Sequence, residues 1–171
     1  MQAGPFRDTP ASRCVFYRRI AGLAAGVDPH TGRITVRAGS VWGLGMPAHC
    51  GYQVREELRR HQHAIGPIVS YPRSRTWTFL VRPDLPESPA LFAQLYRAGV
   101  AAYCHGQVIA LPSPTDRPPA MRHWVELPQD GFRPSAAVVI TAISRCLPAR
   151  AIDLSLLGVA VGNCAQARGA R

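Results

Sequence analysis

The sequence predicts an α+β fold built on one sheet, with helices mainly on one face and a further helix near each end. Two observations carry this. Residues 66–83 read as two strand-period runs around a tight turn, and stretches of helical period lie between strand-period runs along the chain. In addition, 171 residues with 47% hydrophobic and 18% charged content suit one domain with a sizeable core rather than a disordered chain.

Residues 1–11 read as a flexible arm. Ser12 caps a predicted helix from Arg13 to about Ala25, striped by Cys14, Phe16, Tyr17, Ile20 and Leu23 and stopped by Gly26 and Asp28-Pro29. Arg33 to Arg37 is a short strand. Val41 to Met46 is another, with Trp42, Leu44 and Met46 on one face and Val41, Gly43 and Gly45 on the other. Pro47 opens a helix to about His61, with Cys50, Val54 and Leu58 inward.

Ile68 to Tyr71 is a strand, and Pro72-Arg73-Ser74-Arg75 is a turn. Thr76 to Arg82 then alternates, placing Trp77, Phe79 and Val81 on one face and Thr78 and Leu80 on the other. Ala90 to Ala98 is a helix with Leu91, Phe92 and Leu95 inward, ended by Gly99. Short strands at 100–103 and 107–111 flank a His105-Gly106 turn. Four prolines keep 112–120 irregular, and Trp124 and Val125 suggest an edge strand. Ala136 to Leu147 is the last helix, and 148–171 reads as a tail.

The central succession is strand, helix, strand, strand, helix, strand. That is the split βαβ, or ferredoxin-like, arrangement. The domain therefore spans 12–147.

The net charge is +10, and all 20 basic residues are Arg. A GC-rich genome accounts for Arg in place of Lys. It does not account for acids being outnumbered two to one; this excess suits either a polyanionic partner or simply a basic, solvated surface. Five dispersed cysteines without a Cys-x-x-Cys pair suggest reduced thiols and a cytoplasmic setting. The apolar run 151–162 is too short to span a membrane.

No nucleophile-elbow or phosphate-loop motif is present, and the residues suggest no cofactor. His61-x-His63 lacks a third ligand nearby in sequence, so no metal site is expected; adjacent His49 and Cys50 are expected to point apart. Strand interiors carry no carboxylate, and Glu126 is the only acid beside a strand. Arg73, Arg75 and Arg82 bracket the hairpin as candidate phosphate contacts. Trp77 and Phe79 are either a base-stacking platform or half of a core.

The ordered set Val-Trp-Gly-Leu-Gly-Met-Pro-Ala (41–48), Gly-Pro-Ile-Val (66–69), Arg-Thr-Trp-Thr-Phe-Leu-Val (75–81), Val-Ile-Ala-Leu-Pro-Ser-Pro (108–114) and Arg-His-Trp-Val-Glu-Leu-Pro (122–128) resembles actinobacterial bifunctional DNA primase/polymerase-like proteins of the archaeo-eukaryotic primase superfamily. The resemblance covers residues 33–145 and implies a sheet like that of an RNA-recognition motif (RRM-like). In active members, acids on the first core strand bind metal. Here Gly43-Leu44-Gly45 stands in that place, the strand at 76–82 lacks the family's His, and the strand at 107–111 lacks its acid. The resemblance thus implies a degenerate relative.

Three functions follow as expectations. The first is a non-catalytic domain that binds DNA or RNA through a basic surface. The second is a protein-interaction or regulatory module without a nucleic-acid role. The third is a nucleotidyltransferase with relocated acids, which requires at least two carboxylates close together on one sheet face and is removed if Glu126 and Asp130 lie far from Gly43 and Gly45.

Overall fold

The computed structural model describes residues 8–119, 121–147 and 152–158. The elements in chain order are α1 (Pro10–Arg19), β1 (Ala25–Val27), β2 (Ile34–Arg37), β3 (Trp42–Pro47), α2 (Ala48–Arg60), β4 (Ile68–Tyr71) and β5 (Thr76–Val81). They are followed by α3 (Pro89–Arg97), β6 (Ala101–Tyr103), β7 (Val108–Ala110), β8 (His123–Glu126), α4 (Ala136–Cys146) and a short 3-10 helix at Leu154–Leu157. The class is α+β, as the sequence predicts.

The strands form two antiparallel sheets rather than one. The larger runs β6-β3-β5-β4-β8, and the smaller runs β1-β2-β7. Within the larger sheet, β3 and β5 pair along their whole length, with Leu44 opposite Phe79 and Gly45 opposite Thr78. The stretch 100–111 divides between the sheets. β6 pairs with β3, whereas β7 leaves across the Cys104–Gln107 connection to pair with β2. His105 takes φ +52 and Gly106 φ +77 at that crossing. Gly106 accepts such values freely; His105 does so as an uncommon non-glycine residue.

Each face of the larger sheet has its own core. On one face Trp42, Leu44, Met46, Phe79 and Val81 pack with Cys50, Val54 and Leu58 of α2, Leu91 and Leu95 of α3, and Val139 and Ile143 of α4. The strand alternation read from the sequence places these side chains correctly, and Phe79 is 1% exposed. Phe79 is therefore core and cannot stack on a base; Trp77 packs against the same cluster and against Gly51 of α2.

The opposite face is covered by the small sheet and α1. Val69 and Leu80 meet Tyr17, Leu23, Ile34, Val36, Ile109 and Leu111 there. Two hydrogen-bond links tie the layers. Tyr71 donates to the Ala110 carbonyl at 2.7 Å, and Trp124 Nε1 donates to Tyr17 Oη at 3.0 Å, which in turn donates to the Pro112 carbonyl at 2.8 Å.

Local chemistry explains most element ends. α1 begins at Pro10 rather than Arg13, inside the stretch assigned to the arm. Thr9 and Ser12 form a reciprocal capping box, and Pro10 sits at the first turn. α1 also ends at Arg19 instead of continuing to Ala25, because Gly22 turns at φ +56 and Ala25 enters β1. Ser88 caps α3 and Ser135 caps α4. β8 lies at the sheet edge, as Trp124 and Val125 suggest. Among the described residues, Cys14, Cys50, Cys104 and Cys146 form no disulfide, and Cys164 lies outside the described residues. No described helix is long and apolar enough to cross a membrane.

Candidate nucleic-acid interface

The site grows from the turn of the central hairpin. Pro72 presets the turn and Arg75 closes it with φ +53, its N–H donating to the Pro72 carbonyl at 3.1 Å. The Arg75 carbonyl accepts the Ala48 N–H at 2.8 Å, so the turn also anchors the first residue of α2. This geometry projects Arg73 and Ser74 toward the small sheet. There Arg33, just before β2, and Arg122, just before β8, complete a cleft of about 410 Å³ with Tyr71 and Pro72.

Its charge is one-sided. Arg122 is clamped by Asp116 through two bonds, Nε to Oδ2 at 2.9 Å and a second, shorter one from the terminal nitrogen, with both side chains nearly buried. Such a bidentate pair fixes the guanidinium plane. Arg33 and Arg73 have no carboxylate partner among the described residues, and both are exposed. The Tyr71 hydroxyl is held against Ala110, and burial pushes its phenol well above the ordinary range. The cleft thus offers fixed and free guanidinium groups beside a neutral tyrosine.

The three arginines named from the sequence separate. Arg73 lines the cleft. Arg75 sits in the same turn but does not line it; its backbone does the structural task. Arg82 lies at the far end of β5, roughly 20 Å along the strand from Arg75. There it pairs with Asp84 at 3.5 Å and donates its N–H to the Pro134 carbonyl. Arg33 and Arg122 were not legible as site residues, because each is a single Arg in a loop and their meeting depends on the second sheet.

Gly43 and Gly45 have a structural occupation. A β-carbon on Gly43 would lie 2.9 Å from Thr78 Cγ2 and 3.0 Å from Ile109 Cδ1. One on Gly45 would lie 2.9 Å from Tyr103 Cε2. Where the resemblance leads one to expect acids, Tyr103 and Thr78 fill the space. Glu126 stands on β8, three strand spacings or about 14 Å from β3. It accepts bonds from Arg55 Nε at 2.6 Å and an Arg59 terminal nitrogen at 2.9 Å. Among the described residues, no group of three His, Cys, Asp or Glu side chains is placed to hold a metal ion.

The histidines stay peripheral to the cleft. His61 donates toward Glu57 at 2.9 Å, and the rings of His61 and His63 lie 6.4 Å apart. His105 contacts Glu87 at 2.9 Å and stands beside Trp42 and Phe92. His49 and Cys50 do not point apart as expected: His49 Nε2 lies 3.2 Å from Cys50 Sγ.

Comparison with family models, curated proteins and solved structures finds no match for this chain.

Proposed function

We propose that the protein is a non-catalytic, primase/polymerase-like domain that binds nucleic acid through the basic cleft at the hairpin turn. One observation carries the proposal: Arg33, Arg73 and Arg122 converge from three separate segments on a single cleft, and two of them lack a carboxylate partner among the described residues. Guanidinium groups so placed match phosphate oxygens in charge and in donor geometry. The overall charge of +10 strengthens attraction to a polyanion at long range.

Support for the primase/polymerase-like part comes from the ordered sequence resemblance and from the succession β3-α2-β4-β5-α3-β6 with its spatial order β6-β3-β5-β4. The non-catalytic part rests on Tyr103 and Thr78 occupying the space beside Gly43 and Gly45, with Glu126 engaged by two arginines on another strand.

A mobility-shift titration with a fluorescent oligonucleotide, run from low to moderate salt, tests the reading. Binding that weakens steeply with salt and is reduced by Arg33→Ala and Arg73→Ala is the expected result. Absence of binding at low salt, where phosphate contacts are strongest, overturns it.

A further inference from the structure

We infer that the ligand path continues past Arg122 into a second phosphate subsite bordered by Arg13, Arg117 and His123, so that one single strand of nucleic acid crosses two clefts. The inference rests on the nucleic-acid reading above and extends it to residues outside the hairpin.

The second cleft, about 350 Å³, lies under the proline-rich loop. Arg122 lines both clefts and so joins them. Five arginines (Arg13, Arg33, Arg73, Arg117 and Arg122) line the pair against one carboxylate, Asp116. That carboxylate is already engaged by Arg122 and by the Ser113 N–H at 3.2 Å. Among the described residues, Arg117 donates to the Pro114 and Asp116 carbonyls, at 2.9 and 3.0 Å, which orients it without cancelling its charge. Arg13 is ion-paired with Asp8 and contributes least.

The size and lining of the clefts bear on the form of the ligand. Each cleft is small, near the lower end for a bound small molecule, and suits about one nucleotide. A duplex can bring its phosphates to the arginines, but its bases stay stacked and paired inside a stiff rod and cannot reach an apolar lining. A single strand bends between them and can lay a base on the apolar lining that Met121 and half-buried Trp124 supply.

Fluorescence anisotropy with labelled oligothymidylates of two and eight nucleotides, and with a duplex of mixed sequence, tests this on the full chain. Arg97→Ala, at the exposed end of α3, serves as the control that leaves binding unchanged. The expected result is tighter binding of the eight-mer than of the duplex. Arg117→Ala should flatten the slope of log affinity against log salt by about 0.7, the value for one lost phosphate contact on a single strand. Met121→Ala, which leaves every arginine and the loop's hydrogen bonds in place, should weaken the eight-mer and spare the dimer. If Arg73→Ala weakens binding while Arg117→Ala and Met121→Ala do not, the second subsite is overturned and the first stands. Equal or tighter duplex binding overturns the single-strand form. No binding to any probe at low salt overturns both readings together.

Discussion

The Tyr103 ring lies across Gly45, its Cε2 only 2.9 Å from where a β-carbon would be. The next strand closes the other side, with Thr78 Oγ1 at 3.2 Å. The glycine is therefore part of the packing between β3, β5 and β6. Gly45→Ala is expected to cost about 1–3 kcal/mol through overpacking, measured as a lower urea midpoint at unchanged slope. Gly45→Asp should cost more, because it also buries a carboxylate beside an aromatic ring. A variant as stable as the parent would show that Tyr103 swings away freely.

The interface between the sheets predicts a second outcome. Leu80 is fully buried on the face covered by the small sheet. Leu80→Ala should cost about 2–5 kcal/mol, read from chemical denaturation. Because Val69, Ile34 and Ile109 share that core, both sheets should melt in one transition followed by circular dichroism. Separate melting of the layers would contradict a shared core.

Alkaline pH should weaken the fold. Burial raises the Tyr71 and Tyr17 phenols above the ordinary value of 10.0. Above pH 10 the unfolded chain ionises these groups while the folded chain keeps its protons. The unfolded state then binds fewer protons, so stability falls as pH rises. Below pH 10 the contribution is fully present. Tyr71→Phe removes the bond to Ala110 and should cost about 0.5–1.5 kcal/mol at neutral pH. It should also make the alkaline decline shallower, as seen in melts between pH 8 and 11.

The separation of the hairpin arginines predicts unequal effects on nucleic-acid binding. Arg73→Ala should weaken binding and reduce its salt dependence without lowering the melting temperature, since the side chain is exposed. Arg82→Ala should leave binding unchanged. Arg82 lies outside the cleft, and its ion pair with Asp84 is exposed and weak. Equal losses from both variants would move the binding surface from the cleft to a diffuse charge.

Arg75→Gly tests the turn itself. Arg75 holds a left-handed backbone that glycine adopts without penalty, and its carbonyl bond to Ala48 needs no side chain. Stability should be retained or slightly raised in thermal melts. A marked loss would assign the side chain a packing role.

The strand alternation was readable because a period of two follows directly from backbone geometry. It put Trp42, Leu44 and Met46 on one face of β3 and Trp77, Phe79 and Val81 on one face of β5; the structure then sets the two rows opposite each other. The structure adds Ser88 and Ser135 as caps of α3 and α4. The second sheet was not readable. β1 has only three residues, and β7 follows the β6 turn so closely that 100–111 resembles one unit. Its true partner, β2, lies some seventy residues earlier. Local sequence carries no mark of that pairing.

The candidate site divides in the same way. Arg73 follows from a short turn between two strands, and the sequence alone determined that much, together with the α+β class and the inward faces of α2 and β5. Tertiary structure decided that Arg33 and Arg122 join it, that Arg82 does not, and that the second sheet face is closed. Backbone geometry repeats every few residues and so leaves a period in the sequence. A cleft built from three loops depends on how two sheets stack, and that depends on burial summed over the whole core.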